Sequence, residues 1–470
     1  MKWYRKRVAA GALVAVTAIA LSVSGASGRP SGAEPVRVVV LVVDGLDPED
    51  VNALDSPNIQ ALREGGTWWE QARSIFVAET IPNHTAMMTG AYAKRSGIPV
   101  NTFWSRRADD EPVDMQDPVL LKAETMFTAI QKQCPDLRTA AILSKTYLHG
   151  IFSGDGDGDG NVDADFLWEP GPIIPESDHA PDTATTEAVL GEIPNSPDLM
   201  FVNLGDVDRS GHVDPSGVQD PAIRRLALQN TDVQVGRIVD ALEAEGLWES
   251  TVMLLVSDHS MDWSAPGDFI SLDEVFAADP RTADRYVVVQ NGGVDNVYLQ
   301  PGTKNKNKVL KAMHSLASET DGVEHVFYRT KNKRDPKGQR LLKVWKMHSR
   351  RVGDLVAFAA PGRRFSDPDS TSNPIPGNHG HPITRHSVAL VAGGSPLVLQ
   401  QSIAPSDPDA VDPFNDTKAL SEQSEQVDIG VTVARLLGVE DPGVQAGLSP
   451  QYQGRVLDEA LSARPAPACA

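Results

Sequence analysis

Continuous apolar runs, each ending at a turn or at polar residues, are the feature that most constrains the fold. They occupy residues 36–43, 138–143, 199–204 and 252–256. Runs of this length without alternating polar residues are typical of strands buried on both faces, as in a parallel sheet. Helical patterns lie between them, at residues 56–65, 117–133 and 221–246. The alternation predicts an α/β fold in which a mostly parallel sheet is sandwiched between helices.

Candidate metal ligands follow these runs. Asp44 comes directly after the first run, and Asp258 and His259 come just after the fourth. Asp208 and His212 follow the third run and are four residues apart, a spacing that puts both on one face of a helical turn. The carboxyl ends of parallel strands meet at one edge of a sheet, where open α/β sheets place their ligands. Aspartate and histidine without thiolates suit zinc or a similar divalent ion, so a metal site is predicted at this edge.

Two further segments complete a set of one hydroxyl, three carboxylates and three imidazoles. Residues 79–84 (ETIPNH) place Thr80 just before a helix predicted over residues 83–90. His379 lies in residues 377–380 (GNHG), where glycine allows a close approach of the backbone. Two divalent ions can hold the attacking and leaving oxygens of a phosphoryl transfer, and coordination activates a threonine hydroxyl that is otherwise a weak nucleophile. The set therefore predicts a two-metal phosphoryl-transfer site with Thr80 as nucleophile.

Alternatives remain open within this set. Asp206 competes with Asp208 as a ligand, and His381 and His386 compete with His379. Without the other segments, Thr80 would be read as an ordinary helix N-cap.

In this order the segments resemble the alkaline phosphatase superfamily, and most closely its nucleotide pyrophosphatase/phosphodiesterase (type I phosphodiesterase) branch, over residues 36–439. The resemblance implies an alkaline phosphatase-like fold and a phospho-threonine intermediate on Thr80. It also implies that Asn101 donates to a non-bridging phosphoryl oxygen. The two zinc ions it implies would be bound, respectively, by Asp44, Thr80, Asp258 and His259 and by Asp208, His212 and His379.

Other branches of the superfamily differ at identifiable residues. Sulfatases need Cys or Ser in a Cys/Ser-x-Pro-x-Arg run, whereas Thr80 is followed by no such Arg. The related phosphomonoesterases have Lys-x-Arg and the phosphonoacetate hydrolases Lys-x-Lys, where this chain has Lys145 and then Tyr147. Lys145 is thus a candidate catalytic residue and Tyr147 a candidate substrate-binding residue, and a site with fewer cations favours a singly charged diester. Alternatively, Lys145 faces solvent after a strand.

Three functions stay in competition at this point. The favoured one is a phosphodiesterase or nucleotide pyrophosphatase that acts on a small phosphate ester. The first alternative is a phosphomonoesterase or phosphonate (C–P) hydrolase on the same scaffold. The remote alternative is an inactive calcium-dependent binding protein, which the intact set of ligands disfavours.

The middle of the chain predicts an inserted α+β lobe. Residues 282–362 read as β-β-α-β-β, with residues 352–360 returning the chain to the core; the segments are 286–289, 295–299, 305–319, 323–328 and 341–345. The catalytic core is then residues 36–281 and 363–440, ending in a helix at 427–439, and residues 441–470 form a tail whose last ten residues are expected to be disordered. Lysine and arginine in the lobe indicate either a solvated surface or contact with an anionic substrate.

The amino-terminal 26 residues have the pattern of a secretory signal peptide. Lys2, Arg5, Lys6 and Arg7 precede an apolar stretch over residues 9–23, which is short for a membrane anchor, and small residues follow. Removing this segment takes away four positive charges and changes the net charge from −20 to −24. A chain this acidic is a poor binder of duplex nucleic acid or of an anionic membrane, so secretion without a stable anchor is predicted.

Two smaller features concern cysteine and calcium. Cys134 and Cys469 are the two cysteines, and in an oxidising compartment they could pair. Residues 155–163 match the first half of an EF-hand calcium loop, but Phe166 stands where the final acidic ligand should be. Structural calcium therefore competes with an acidic flexible turn, and the candidate ligands are Asp155, Asp157, Asp159, Asn161 and Asp163.

Overall fold

The computed structural model describes residues 36–107, 111–152, 162–171, 173–174, 177–213, 223–265, 267–329, 344–347, 350–371, 373, 377–408, 421–463 and 468–469. The predicted signal peptide lies outside these residues, as do four of the five candidate calcium ligands. The fifth, Asp163, is buried and accepts a hydrogen bond from Thr128 Oγ1 at 2.5 Å. Within the described ranges, no helix has the length and apolar character needed to cross a membrane.

The elements of the described chain alternate as predicted. The strands are β1 (Arg37–Val43), β2 (Thr67–Trp69), β3 (Thr102–Phe103), β4 (Val113–Asp114), β5 (Thr139–Leu143), β6 (Phe166–Trp168), β7 (Leu199–Leu204), β8 (Thr251–Val256), β9 (Asp262–Trp263), β10 (Phe269–Ile270), β11 (Tyr286–Asn291), β12 (Val294–Leu299), β13 (Val323–Tyr328), β14 (Leu355–Ala359), β15 (Arg364–Phe365), β16 (Gly377–Asn378), β17 (Ala389–Ala392) and β18 (Gln401–Ile403). The α-helices are α1 (Pro57–Gly65), α2 (Thr80–Thr89), α3 (Ala93–Ser96), α4 (Met126–Gln133), α5 (His149–Phe152), α6 (Asp182–Glu192), α7 (Asp206–Val213), α8 (Ile223–Ala244), α9 (Leu272–Ala277), α10 (Lys306–Glu319), α11 (Gln426–Leu437) and α12 (Pro442–Gln445).

The largest sheet in the described part of the chain has the strand order β18-β2-β17-β8-β1-β7-β5-β6. β1 runs parallel to both neighbours, β7 and β8, whereas β17 is antiparallel to β8 and β2. Successive side chains of β1 enter opposite cores: Val38 and Val40 face one apolar cluster, and Val39 and Leu41 face the other. Both faces are therefore buried, which explains why residues 38–43 of this strand are all apolar. The predicted α/β fold with a mostly parallel sheet is confirmed.

Helices cover both faces of this sheet. α11 contributes Val433 and Leu436 to the cluster that contains Val38. On the opposite face, α8 contributes Leu228 and Val235 to the other cluster. Burying apolar area on both sides is the main favourable term in the stability of such a fold, at roughly 25 cal/mol per Å².

Two predicted helix boundaries are wrong. The helix predicted over residues 117–133 begins only at Met126, because Thr125 caps it by accepting a hydrogen bond from the Thr128 amide. The helix predicted to begin at Asn83 begins earlier in the chain, at Thr80. Proline at the third position is tolerated there, since the amides of the first turn have no partner within the helix.

A smaller antiparallel sheet with the order β11-β12-β14-β13 packs with α10 around its own apolar cluster. Two expectations for this region are wrong. Leu355–Ala359 pairs with β12 and β13 within this sheet, so it does not return the chain to the main sheet. In the segment predicted as a strand at 341–345, the described residues 344–345 form a turn, because the buried ring of Trp345 stacks on Phe76 with 3.8 Å between ring centroids. The division into a core at 36–281 and 363–440, a lobe at 282–362 and a tail stays a prediction.

The carboxyl-terminal residues are more ordered than expected wherever the structure describes them. Cys469 forms a disulfide with Cys134, with Cα atoms 5.3 Å apart and a sequence separation of 335. The Cys469 amide donates to the carbonyl oxygen of Leu437, and the Ser462 amide donates to that of Leu397. The expectation of disorder is therefore wrong for these residues, because a covalent bond and backbone pairing hold them.

Candidate active site

The candidate ligands meet at one edge of the main sheet. β1 leads directly into Asp44, and β8 leads through one residue into Asp258 and His259. β7 leads into α7, which carries Asp208 and His212. Because β7, β1 and β8 are parallel neighbours, their carboxyl ends lie side by side and these side chains converge.

Three groups of side chains among the described residues have the separations that a metal ion requires, and two of them include Asp208. Asp208, His212 and His379 form one group, and Asp44, Asp208 and His259 form the other; in each, the ligand atoms lie within 4.8 Å of one another. His212 Nε2 is 3.3 Å from Asp208 Oδ1, and His379 Nε2 is 3.9 Å from the same oxygen. The His259 and His379 rings stack with 3.7 Å between their centroids. The two groups are therefore adjacent and share Asp208.

The three imidazoles are oriented alike by the backbone. Nδ1 of His212 lies 2.8 Å from the carbonyl oxygen of Gly377, and Nδ1 of His259 and of His379 each lie 3.2 Å from a backbone carbonyl oxygen. These bonds assign the proton to Nδ1 and leave each Nε2 as a lone-pair donor facing the carboxylates, which is the arrangement of metal-binding histidines. Glycine is required at position 377, because a Cβ there would lie 2.0 Å from the Gly211 carbonyl oxygen.

Electrostatics favour a cation at this place. Asp208 Oδ1 and Asp258 Oδ2 are buried and accept no hydrogen bond from the described residues. Burial, followed by the nearby Asp44 carboxylate, raises the pKa of Asp258 well above its usual value. Burial lowers the pKa of His259 to about 4, so the ring is neutral at pH 7. Buried carboxylate oxygens without partners, beside neutral imidazoles, fit two divalent ions.

His84 also lies within ligand distance of Asp44 and Asp258, but both of its ring nitrogens have other partners. Its Nδ1 lies 2.9 Å from the Thr80 carbonyl oxygen, and its Nε2 lies 3.0 Å from Asn203 Nδ2. Asn203 Nδ2 also donates to Asp44 Oδ2 at 3.1 Å. Both ring nitrogens of His84 are thus hydrogen-bonded. His84 therefore positions Asn203 beside Asp44 and offers no lone pair to a metal ion. Sequence reasoning missed Asn203, whose signal is a polar residue inside an apolar strand.

Thr80 and Asn101 lie beside this cluster on the wall of one cavity. The cavity has a volume of about 280 Å³, and its lining also includes His212, His379 and Tyr147. Thr80 Oγ1 is 3.3 Å from His259 Nε2. The side-chain oxygen of Asn101 accepts a hydrogen bond from the Ile81 amide at 2.9 Å, so its NH₂ group is left to donate. The geometry thus brings a hydroxyl and an amide donor next to the candidate metal ligands.

Glu79 is a further cavity residue that sequence reasoning missed as a site residue. Its Oε2 accepts a hydrogen bond from the Asn101 amide at 2.8 Å, which ties Asn101 to the start of α2. Burial raises the pKa of Glu79 to about 8, although the hydrogen bond from Asn101 opposes the shift.

The competing ligands point elsewhere. Asp206 Oδ1 lies 3.2 Å from His179 Nε2, so this carboxylate belongs to a different pair. His381 and His386 each direct Nε2 to a backbone carbonyl oxygen, at 2.6 and 3.0 Å respectively. None of the three belongs to a metal-binding group within the residues that the structure describes.

Lys145 is fully buried, so the alternative that it faces solvent is wrong. Its Nζ is 2.7 Å from Asp208 Oδ2 and 2.8 Å from Asp44 Oδ1. Burial opposes the charge, but these carboxylates outweigh it and raise the pKa of Lys145 above its usual value. Tyr147 lines the cavity with its ring 5.8 Å from the Lys145 ammonium. Arg209, which sequence reasoning did not single out, lines the same cavity.

A family of known proteins matches most of this chain. The family model described as type I phosphodiesterase / nucleotide pyrophosphatase matches residues 38–382, a range that includes every proposed metal ligand. Bis(5'-adenosyl)-triphosphatase ENPP4 of Bos taurus is 24% identical over 254 residues, which cover 53% of this chain and 53% of that protein. Ectonucleotide pyrophosphatase/phosphodiesterase family member 1 of Homo sapiens is 24% identical over 261 residues, covering 52% of this chain and 26% of that protein. The chain spans about half the length, or less, of these curated relatives.

Solved structures show the same fold. Murine ectonucleotide pyrophosphatase / phosphodiesterase 5 superposes with a TM-score of 0.67 at 17% sequence identity, covering 91% of this chain and 100% of that chain. The human form of that protein gives a TM-score of 0.66 at 14% identity, with the same coverage. At such identities the likeness concerns the fold, which is an alkaline phosphatase-like α/β fold.

Proposed function

Because the chain belongs to the type I phosphodiesterase / nucleotide pyrophosphatase family, we propose that it is a secreted two-zinc hydrolase of phosphoric diesters or anhydrides. Catalysis proceeds through a covalent phospho-threonine intermediate on Thr80. The observation that carries the proposal is the convergence of three lone-pair Nε2 atoms and buried carboxylate oxygens without partners beside the Thr80 hydroxyl. Secretion is supported by the signal-peptide pattern over residues 1–26.

The ligands divide between two zinc positions. Asp44, Asp258 and His259, together with Thr80, would hold one ion, and Asp208, His212 and His379 would hold the other. Zinc bound there supplies Lewis-acid charge that favours the ionised threonine oxygen and neutralises phosphoryl oxygens. The donor set supports this assignment over a calcium site, because it includes imidazole nitrogens and calcium prefers an all-oxygen environment.

The residues of the chain have separate roles in the reaction. Thr80 Oγ attacks phosphorus, and the bond from phosphorus to the leaving oxygen breaks as the Oγ–P bond forms. The Asn101 NH₂ group donates to a non-bridging oxygen, stabilising the charge that develops in the transition state. Water then attacks the phospho-threonine, releasing the phosphorylated product and restoring the hydroxyl. Lys145 holds Asp44 and Asp208 in place without reaching the cavity wall.

Names of relatives support the substrate class. ENPP4 is named a bis(5'-adenosyl)-triphosphatase, a hydrolase of a phosphoric anhydride. For murine ectonucleotide pyrophosphatase / phosphodiesterase 5, a threonine-to-alanine form described as inactive was solved in complex with AMP. By analogy, a nucleotide-like phosphate compound is the expected substrate here.

The first test compares kcat/KM for bis-p-nitrophenyl phosphate and p-nitrophenyl phosphate in the zinc-loaded protein. Thr80→Ala should lower kcat/KM by about 10³-fold or more, because the nucleophile is lost. Thr85→Ala is the matched control: Thr85 lies on the same helix, and its hydroxyl donates only to the Ile81 carbonyl oxygen. A protein that binds no zinc and cleaves neither compound would contradict the proposal and favour the inactive calcium-dependent binding protein.

A further inference from the structure

Arg209 places its guanidinium on the wall of the catalytic cavity. It lies on α7 directly after Asp208, and it lines the cavity together with Thr80 and His379. Its side chain makes no hydrogen bond and no ion pair with any described residue, and its Nε is buried without a partner. A guanidinium has five donors in a planar fork, and a buried donor such as this Nε is costly to leave without a hydrogen-bond partner.

Arg209 is also the positively charged side chain that a substrate in the cavity can reach. Among the described residues that line the cavity, no other Lys or Arg is present. Lys145 is fully buried and is neutralised by Asp44 and Asp208. A guanidinium stays protonated in proteins, so Arg209 carries a positive charge at the wall of the cavity.

The position of this cation relative to Tyr147 suggests its role. The Arg209 guanidinium carbon lies 5.8 Å from the centre of the Tyr147 ring. Both residues line the same cavity, so α7 brings a positive charge to the side of the cavity that Tyr147 forms. A planar guanidinium binds two oxygens of one phosphate side by side, which a single ammonium does not do.

We propose that Arg209 binds a second negative charge of the substrate, so that it raises kcat/KM for a doubly charged phosphate substrate more than for a singly charged diester. The proposal rests on the proposed function and specifies the substrate class of the same site. It reverses the expectation, drawn from Lys145 and Tyr147, that too few cations are present for a doubly charged substrate. The second negative charge lies either on the third oxygen of a terminal phosphate or on an oxygen of the neighbouring phosphate in an anhydride.

Three substrates distinguish these sources: bis-p-nitrophenyl phosphate with one charge, p-nitrophenyl phosphate with a terminal dianion, and diadenosine triphosphate with neighbouring phosphates. Arg209→Gln should lower kcat/KM about 10- to 100-fold on whichever doubly charged substrate the guanidinium contacts. On bis-p-nitrophenyl phosphate the loss should stay below about 3-fold, because no second charge is present. Arg209→Lys should recover part of the loss.

The controls separate this proposal from the proposed function. Arg237→Gln removes an arginine that pairs with Glu187 on the surface, and it should leave all three rates unchanged. Equal losses on the three substrates, or no loss, would overturn the role of Arg209 while leaving the hydrolase intact. If the wild-type protein cleaves none of them, the proposed function fails. Calorimetric binding of inorganic pyrophosphate to the zinc-loaded wild type and to Arg209→Gln then decides whether Arg209 binds anions.

Discussion

The ammonium nitrogen of Lys145 lies 2.7 Å from Oδ2 of Asp208, and both side chains are buried. The same nitrogen is 2.8 Å from Oδ1 of Asp44. Lys145 therefore connects one carboxylate from each proposed zinc position. In the absence of metal its positive charge offsets the cost of bringing these buried carboxylates together.

Replacing Lys145 should destabilise the metal-free protein most. Lys145→Met leaves Asp44 and Asp208 buried without their ammonium, at an expected cost of about 3–5 kcal/mol in the free energy of unfolding. Bound zinc would balance the negative charge of the same carboxylates. The substitution should therefore lower the free energy of unfolding less in the zinc-loaded protein. Denaturant unfolding with EDTA and with zinc measures both values. An equal loss in the two conditions would show that Lys145 acts by packing instead of by charge.

Metal content should separate Asp208 from its neighbour Asp206. Asp208→Asn removes a ligand, so bound zinc should fall below two ions per chain and kcat/KM should fall by more than about 100-fold. Asp206→Asn is the matched control, because that carboxylate lies on the same helix and faces His179. Elemental analysis after dialysis gives the stoichiometry. Loss of zinc in the Asp206 variant but not in the Asp208 variant would reverse the assignment.

Glu79 should make the stability of the metal-free protein pH-dependent. Burial raises its pKa from the usual 4.5 to about 8 in the folded state, so between these values the folded chain retains a proton that the unfolded chain has lost. The contribution of Glu79 to the free energy of unfolding therefore falls as pH rises through this window.

Glu79→Gln tests this dependence, because glutamine keeps an acceptor for the Asn101 amide and does not titrate. The melting temperature of the variant relative to the wild type should rise between pH 5 and pH 8, the window flanked by the two pKa values. Melting curves recorded in EDTA at several pH values provide the comparison. A constant difference across the window would mean that Glu79 is ionised in the folded protein.

The disulfide should contribute measurably to stability. Cys134 and Cys469 have a sequence separation of 335, so their bond closes a long loop in the unfolded chain of 470 residues. Cys469→Ser should lower the free energy of unfolding by about 2–4 kcal/mol. The same loss should follow reduction of the wild type, whereas the variant should be insensitive to reductant. Equal stability of the oxidised and reduced wild type would contradict this expectation.

Local sequence patterns predicted the fold class and the order of the ligand-bearing segments. Apolar runs such as residues 199–204 form strands because neither face of the sheet is exposed to water. Asp44 and Asp258 could be recognised as edge residues because parallel strands end on one side. Their meeting with His379, which lies more than a hundred residues further along the chain, was inferred from residue type and from the family resemblance.

Only the tertiary structure decided what depends on contacts between distant segments. Trp345 lies in an apolar run that reads as a strand, yet it packs on Phe76, because burial of a large ring outweighs local β preference. The burial of Lys145, the contact of Asp206 with His179 and the position of Arg209 on the cavity wall all depend on which side chains face one another across α7 and the sheet edge. Residue type and spacing along one chain determine which chemistry is available. Whether a charge is paired, buried or open to a ligand depends on neighbours that folding alone supplies.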